Sequence, residues 1–122
     1  MRRRLALALL ALLATSLEAC KSDPPHLWIL VANRTGNHMA DFVLDYGSGT
    51  IAYPTFGRDF TYSKRVVIER DHPLTVRYTE VTGETVEREI DWRVEPKHNG
   101  GRLSIEFLPQ RSIKVRYSIF QD

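Results

Sequence analysis

The chain has 122 residues and 43% hydrophobic content, enough for one domain and one core. Its formal charge of +2 is too small to support electrostatic binding of nucleic acid. A single cysteine excludes any intramolecular disulfide.

The first element is a leader. Arg2, Arg3 and Arg4 precede an apolar run from Leu5 to Ala14, and Ala19 precedes Cys20. A basic stretch, a short apolar stretch and a small residue at the cut are the layout of an export signal. The run is too short to span a bilayer, which takes roughly 20 residues. Two alternatives stand beside this reading: an anchor that is never cleaved, and a plain secretory signal with an incidental cysteine. The segment Leu17-Glu18-Ala19-Cys20 resembles the lipobox of bacterial lipoproteins, although Glu18 stands where a small or apolar residue is usual. The resemblance implies a signal peptide over 1–19 and an acylated Cys20 as the first mature residue. More than one acyl chain, such as palmitate, holds a protein stably on a membrane. Lys21 rather than aspartate after the cysteine then implies the outer membrane rather than the inner, with the protein facing the periplasm.

Removing 1–19 removes three arginines and one glutamate, which leaves fourteen basic and fourteen acidic residues. The mature chain is formally neutral, which again speaks against nucleic acid and also against an anionic membrane surface. Residues 20–26, with Pro24 and Pro25, read as a short stiff tether.

From Leu27 to the end the pattern alternates. Leu27, Ile29 and Val31 share a face, as do Leu74, Val76 and Tyr78, then Val86, Ile90 and Trp92. Leu103, Ile105 and Phe107 follow, and Ile113, Val115 and Tyr117 close the series. A period of two with β-branched and aromatic residues predicts strands with one buried face. Turn signals recur about every ten residues, so an all-β domain over 27–122, a single antiparallel β-sandwich of seven to eight strands, is expected. A small closed barrel is the competing architecture.

Two hairpins have a legible register. Tyr78 and Val86 must share a face, so the loop between them has odd length, and Val81-Thr82-Gly83 fits. This opposes Arg77 with Glu87 outside and Val76 with Arg88 inside. The inward Arg88 requires either an edge position, from which it can snorkel, or a bulge. The same parity predicts Pro109-Gln110-Arg111 as the last loop, with Phe107 opposite Ile113.

The stretch 47–63 breaks the rhythm with three glycines and Pro54, and reads as a short strand plus a long connection. It carries Tyr53, Phe56, Phe60 and Tyr62. These aromatics either cap the core or form a contact patch for a partner.

Other candidates are weaker. His26, His38, His72 and His98 have no metal-binding spacing and read as loop histidines. Ser48 lies in a glycine turn without a nucleophile-elbow context. Asp41 and Asp45 flank the second strand. Glu87, Glu89 and Asp91 form a solvated stripe, with Lys114 and Arg116 as a basic counterpart. No catalytic residue, metal or cofactor is expected, and the chain is not expected to be an enzyme.

The segments LWILVANRTGNHMADFVLDYGSG and PLTVRYTEVTGETVEREIDW resemble a group of small bacterial lipoproteins and periplasmic proteins of unknown function. The shared features are a first strand ending in Asn33-Arg34-Thr35-Gly36, a strand end at Leu44-Asp45-Tyr46-Gly47, and a later glycine-centred hairpin. The resemblance implies an immunoglobulin-like sandwich and brings no activity. The expected function is a lipid-anchored binding module with an envelope protein as partner. The alternative is an envelope protein that binds a small molecule or metal through its loop histidines.

Overall fold

The computed structural model describes residues 26–69, 72–95 and 100–119. The expected signal peptide over 1–19, Cys20, residues 21–25 of the expected tether, and His98 lie outside the described residues, while His26, the last residue of that tether, begins the first strand. Eight strands form: β1 (His26–Asn33), β2 (Met39–Asp45), β3 (Thr50–Phe56), β4 (Thr61–Val67), β5 (Leu74–Thr79), β6 (Thr85–Ile90), β7 (Arg102–Phe107) and β8 (Ile113–Ser118). They build two four-stranded sheets, ordered β4-β1-β7-β8 and β3-β2-β5-β6. The sheets pack face to face as a β-sandwich.

The core includes most of the inward positions that the alternation predicts, together with Met39, Phe42, Leu44, Ile51 and Phe56, which it did not. Leu27, Ile29, Val31, Leu103 and Ile105 come from one sheet, and Leu44, Ile51, Leu74 and Val76 from the other. Three phenylalanines, Phe42, Phe56 and Phe107, are its largest fully buried side chains. One pairing departs from the expected antiparallel pattern. β1 and β7 run parallel, with Trp28 opposite Arg102 and Val31 opposite Ile105. A parallel pair needs a long intervening chain, and here β2 to β6 supply it.

Both predicted loops form. Tyr78 pairs with Val86, Glu80 N donates to Glu84 O at 2.8 Å, and Gly83 has φ +93°. Phe107 pairs with Ile113, and Pro109–Arg111 make a short 3-10 turn. The ladder of β5 and β6 has no bulge. Arg88 therefore faces inward opposite Val76, but β6 is an edge strand, and the guanidinium escapes sideways to donate to the carbonyl of Arg111. Lys64, on edge strand β4, likewise sits opposite Ile29 yet is exposed. Inward charges on edge strands disfavour the addition of another chain's strand.

The reading of 47–63 is corrected. It holds the whole of β3 and the first three residues of β4, two seven-residue strands joined by the short connection 57–60 that passes from one sheet to the other. Pro54 is tolerated because β3 is an edge strand, where a missing N–H costs no ladder bond. Pro54 lies opposite Asp41, which has φ +50°. The register between β2 and β5 slips by one residue here, between Ala40 and Val43. This bulge lets Met39 and Phe42, three residues apart, both point inward.

Ion pairs tie the open side of the sandwich. Arg111 reaches Glu80 at 2.6 Å and Glu84 at 2.5 Å, joining the β7–β8 turn to the β5–β6 turn. The hydrogen bond from Arg111 holds the Glu80 carboxyl below its ordinary range, and both glutamates raise the already high pKa of Arg111. A carboxylate with a lowered folded pKa stabilises above its unfolded value, about 4.3 for glutamate, and loses that contribution as pH falls through the folded one. The wild-type advantage over Arg111→Ala should therefore be present at neutral pH and shrink below about pH 4. Melting curves of both proteins across pH check this. Because the pair is solvent-exposed, the advantage should also be small and should fall with salt.

Candidate partner-binding surface

The four aromatics of 53–62 form one cluster where the two sheets meet at the β3–β4 edge. Tyr53 contacts Phe56 and Phe60, each at 5.7 Å between ring centroids, and Tyr62 at 5.4 Å. Phe56 and Phe60 lie 5.4 Å apart at 90°. All four pairs are edge-to-face, an arrangement aromatic quadrupoles favour. The cluster continues inward. Phe56 stacks on Phe42 at 4.6 Å, and Phe42 meets Phe107 edge-on at 5.5 Å.

The four residues are not equivalent. Phe56 is fully buried and offers a partner no surface, so its place in the contact patch is withdrawn. Tyr53 and Tyr62 are half-buried against the core. Phe60 is 43% exposed, large for a phenylalanine on a small domain. Burial, and then the neighbouring Tyr62, raises the Tyr53 pKa above its ordinary value.

Asn33 holds this surface in place, a role the sequence pattern did not single out. It is the one buried polar residue among the described residues. Its Nδ2 donates to the carbonyls of Asn37 at 2.8 Å, Phe56 at 3.0 Å and Gly57 at 3.1 Å. Its Oδ1 accepts from the Thr35 N–H at 3.1 Å and from the Thr35 hydroxyl at 2.7 Å. Its backbone N–H donates to Phe60 O at 2.9 Å, and its carbonyl accepts from Asp59 N at 3.0 Å. One residue at the end of β1 thus fixes both the β1–β2 loop and the 57–60 connection that displays Phe60.

Next to the cluster, a concavity of about 580 Å³ lies on the outer face of the β3-β2-β5-β6 sheet. Asp41, Tyr53, Pro54, Arg77, Thr79 and Thr85 line it. It lies beside the register shift of β2 against β5 between Ala40 and Val43.

The remaining candidates are dispersed. Asp45 accepts from Gly47 N at 2.8 Å in a turn, and Ser48 bonds the carbonyl of Val67 across the sheets, so both have structural partners. Glu87, Glu89, Asp91, Lys114 and Arg116 are exposed. His26 begins β1 and His72 lies just before β5, at one end of the sandwich, whereas His38 is at the other, its Nδ1 accepting weakly from Arg58 N at 3.4 Å. Among the described residues no group of three or more His, Cys, Asp or Glu converges for a metal ion.

No protein-family model matches the chain, and no curated protein matches it. Among solved structures, an NMR structure of a protein from Eubacterium rectale is similar, with a TM-score of 0.50 and 15% identity. The likeness covers 79% of this chain and 91% of that one. Crystal structures of wild-type pneumolysin and of listeriolysin O also match, with TM-scores of 0.38 and 0.40 and identities of 18% and 17%. Each covers 80% of this chain but 24% and 23% of the other, so this chain spans about a quarter of their length. The similarity to the Eubacterium rectale protein shows a shared fold and nothing of function.

Proposed function

We propose that the chain is a lipid-anchored, non-catalytic binding module that faces the periplasm and acts through contacts with an envelope protein. The observation that carries this reading is Phe60, an exposed ring backed by Tyr53 and Tyr62 on a connection pinned by Asn33. A rigid, partly exposed aromatic cluster loses little conformational entropy when a partner covers it. The export layout and Cys20 support the anchor, and the missing aspartate after Cys20 supports the outer membrane. Two sheets joined by connections that switch between them support the immunoglobulin-like type of sandwich.

Affinity capture from detergent-solubilised envelope tests the contact. The wild-type chain should recover a stoichiometric partner, and Phe60→Ala should lower recovery at least fivefold while the protein remains folded, its melting temperature falling by only about 4–8 °C. Equal recovery by both would remove the aromatic cluster from the interface. The mass of the mature N-terminus reports separately on acylation of Cys20.

The concavity beside Asp41 favours a second reading, binding of a small polar molecule by Arg77, Asp41 and the two threonines. Thermal-shift screening with small charged metabolites would reveal it as a stabilisation lost in Arg77→Ala.

A further inference from the structure

The neutral mature charge conceals two oppositely charged faces. Among the described residues, the outer face of β4-β1-β7-β8 carries Arg65, Arg102, Lys114 and Arg116 with Glu106. Among the described residues, the outer face of β3-β2-β5-β6 carries Asp41, Asp45, Glu87 and Glu89 with Arg77. The register establishes each placement. Arg65 and Arg102 both flank Trp28, Arg116 is opposite Ser104, and Lys114 is opposite Glu106. Trp28 is 41% exposed between Arg65 and Arg102, and Leu30, two residues along the same strand and on the rung of Arg116, is half-buried there.

We propose that this basic face, centred on Trp28, docks on the anionic phospholipid headgroups of a bilayer. Three observations favour that occupant. The charge complements anionic lipid, which attracts each nearby lysine or arginine by about 1 kcal/mol, roughly a fivefold gain in affinity. A tryptophan set among arginines suits the headgroup layer, where an apolar ring with a polar N–H is favoured. The basic sheet also contains β1, which starts at His26, six residues after Cys20. At no more than about 3.6 Å per residue, such a tether keeps β1 within roughly 20 Å of a lipidated cysteine. Only this last point rests on the anchored reading. The other candidate occupant is the acidic face of a second copy. That stacking would be head-to-tail and would not close, so it would propagate into a filament. Docking through the basic face would turn the acidic face and its concavity away from the membrane.

The test uses the unlipidated chain from Lys21 to Asp122, which retains every strand and core residue among the described residues, so it is independent of Cys20. Sedimentation with vesicles of phosphatidylcholine containing 30% phosphatidylglycerol should pull the protein down at about 50 mM salt, whereas pure phosphatidylcholine should not. Arg65→Glu with Arg116→Glu should weaken binding at least tenfold, about 1.4 kcal/mol, and Trp28→Ala should weaken it severalfold, with each variant still folded at the assay temperature. Glu87→Lys with Glu89→Lys, on the opposite face, should not weaken binding. Equal binding to both vesicle types, no binding to either, or insensitivity to the Arg65 and Arg116 reversals would overturn the proposal. So would self-association without lipid that both pairs of reversals abolish.

Discussion

Asn33→Ala should lower stability by about 2–4 kcal/mol, a large fraction of what a domain of this size has. The two N–H groups of the amide are divided among three carbonyls, one N–H being shared, and its oxygen accepts from two donors of Thr35. Its bond to Phe56 O is buried, so water cannot readily replace it, and a buried polar group left unsatisfied costs about 1–3 kcal/mol. The more exposed partners, Asn37 and Gly57, can turn to solvent, which keeps the total below the sum of the bonds. Thermal unfolding should show a fall of roughly 10–30 °C. A loss under about 1 kcal/mol would mean that water enters and replaces the amide. Asn33→Asp sharpens the test. It keeps an acceptor for Thr35 but sets carboxylate oxygens against carbonyls that need a donor. The introduced carboxyl would have a raised folded pKa, so its protonated form is the stabilising one. The variant should therefore lose more stability than wild type as pH rises from about 4 to 7.

Much of the fold was legible because strand alternation reports burial directly. Leu27, Ile29 and Val31, or Leu103, Ile105 and Phe107, face inward as their spacing requires. Loop parity even gave the register of β5–β6 and β7–β8, since an error of one residue would have put Tyr78 or Ile113 on the wrong face. What parity could not show is which strands are neighbours when they are distant in sequence. The parallel pairing of β1 with β7 has no local signature. Neither has the segregation of charge onto two faces, because it depends on which strands share a sheet. The region 39–56 misled for a different reason. Met39 and Phe42 are three apart, and Tyr53 and Phe56 are also three apart, so a simple period of two fails on both strands. A bulge at Asp41 opposite Pro54 restores the pattern, but no single residue announces it. Asn33 was visible only as part of a motif. A polar residue ending an apolar strand ordinarily reads as the first residue of a loop, and only the crossing of 57–60 beside it makes it a hub.

The aromatic cluster separates two roles that adjacent phenylalanines usually confuse. Phe56→Ala should cost about 3–5 kcal/mol, the range for deleting a fully buried aromatic ring. Its ring stacks on Phe42 and also supports Tyr53 and Phe60, so the variant would leave a void in the centre of the core. Phe60→Ala should cost about 1 kcal/mol, because its ring is 43% exposed and its gain comes mainly from two edge-to-face contacts. Denaturant titration gives both values. The double variant should cost less than the sum of the two by about 0.5–1.5 kcal/mol, the worth of their direct contact. Partner recovery should order the variants differently. Phe60→Ala should lose the partner while remaining folded, whereas any loss with Phe56→Ala should track its unfolded fraction and return under stabilising conditions. If Phe60→Ala proved as destabilising as Phe56→Ala, its exposed ring would belong to the core, and the surface would have to bind through Tyr53 and Tyr62 instead.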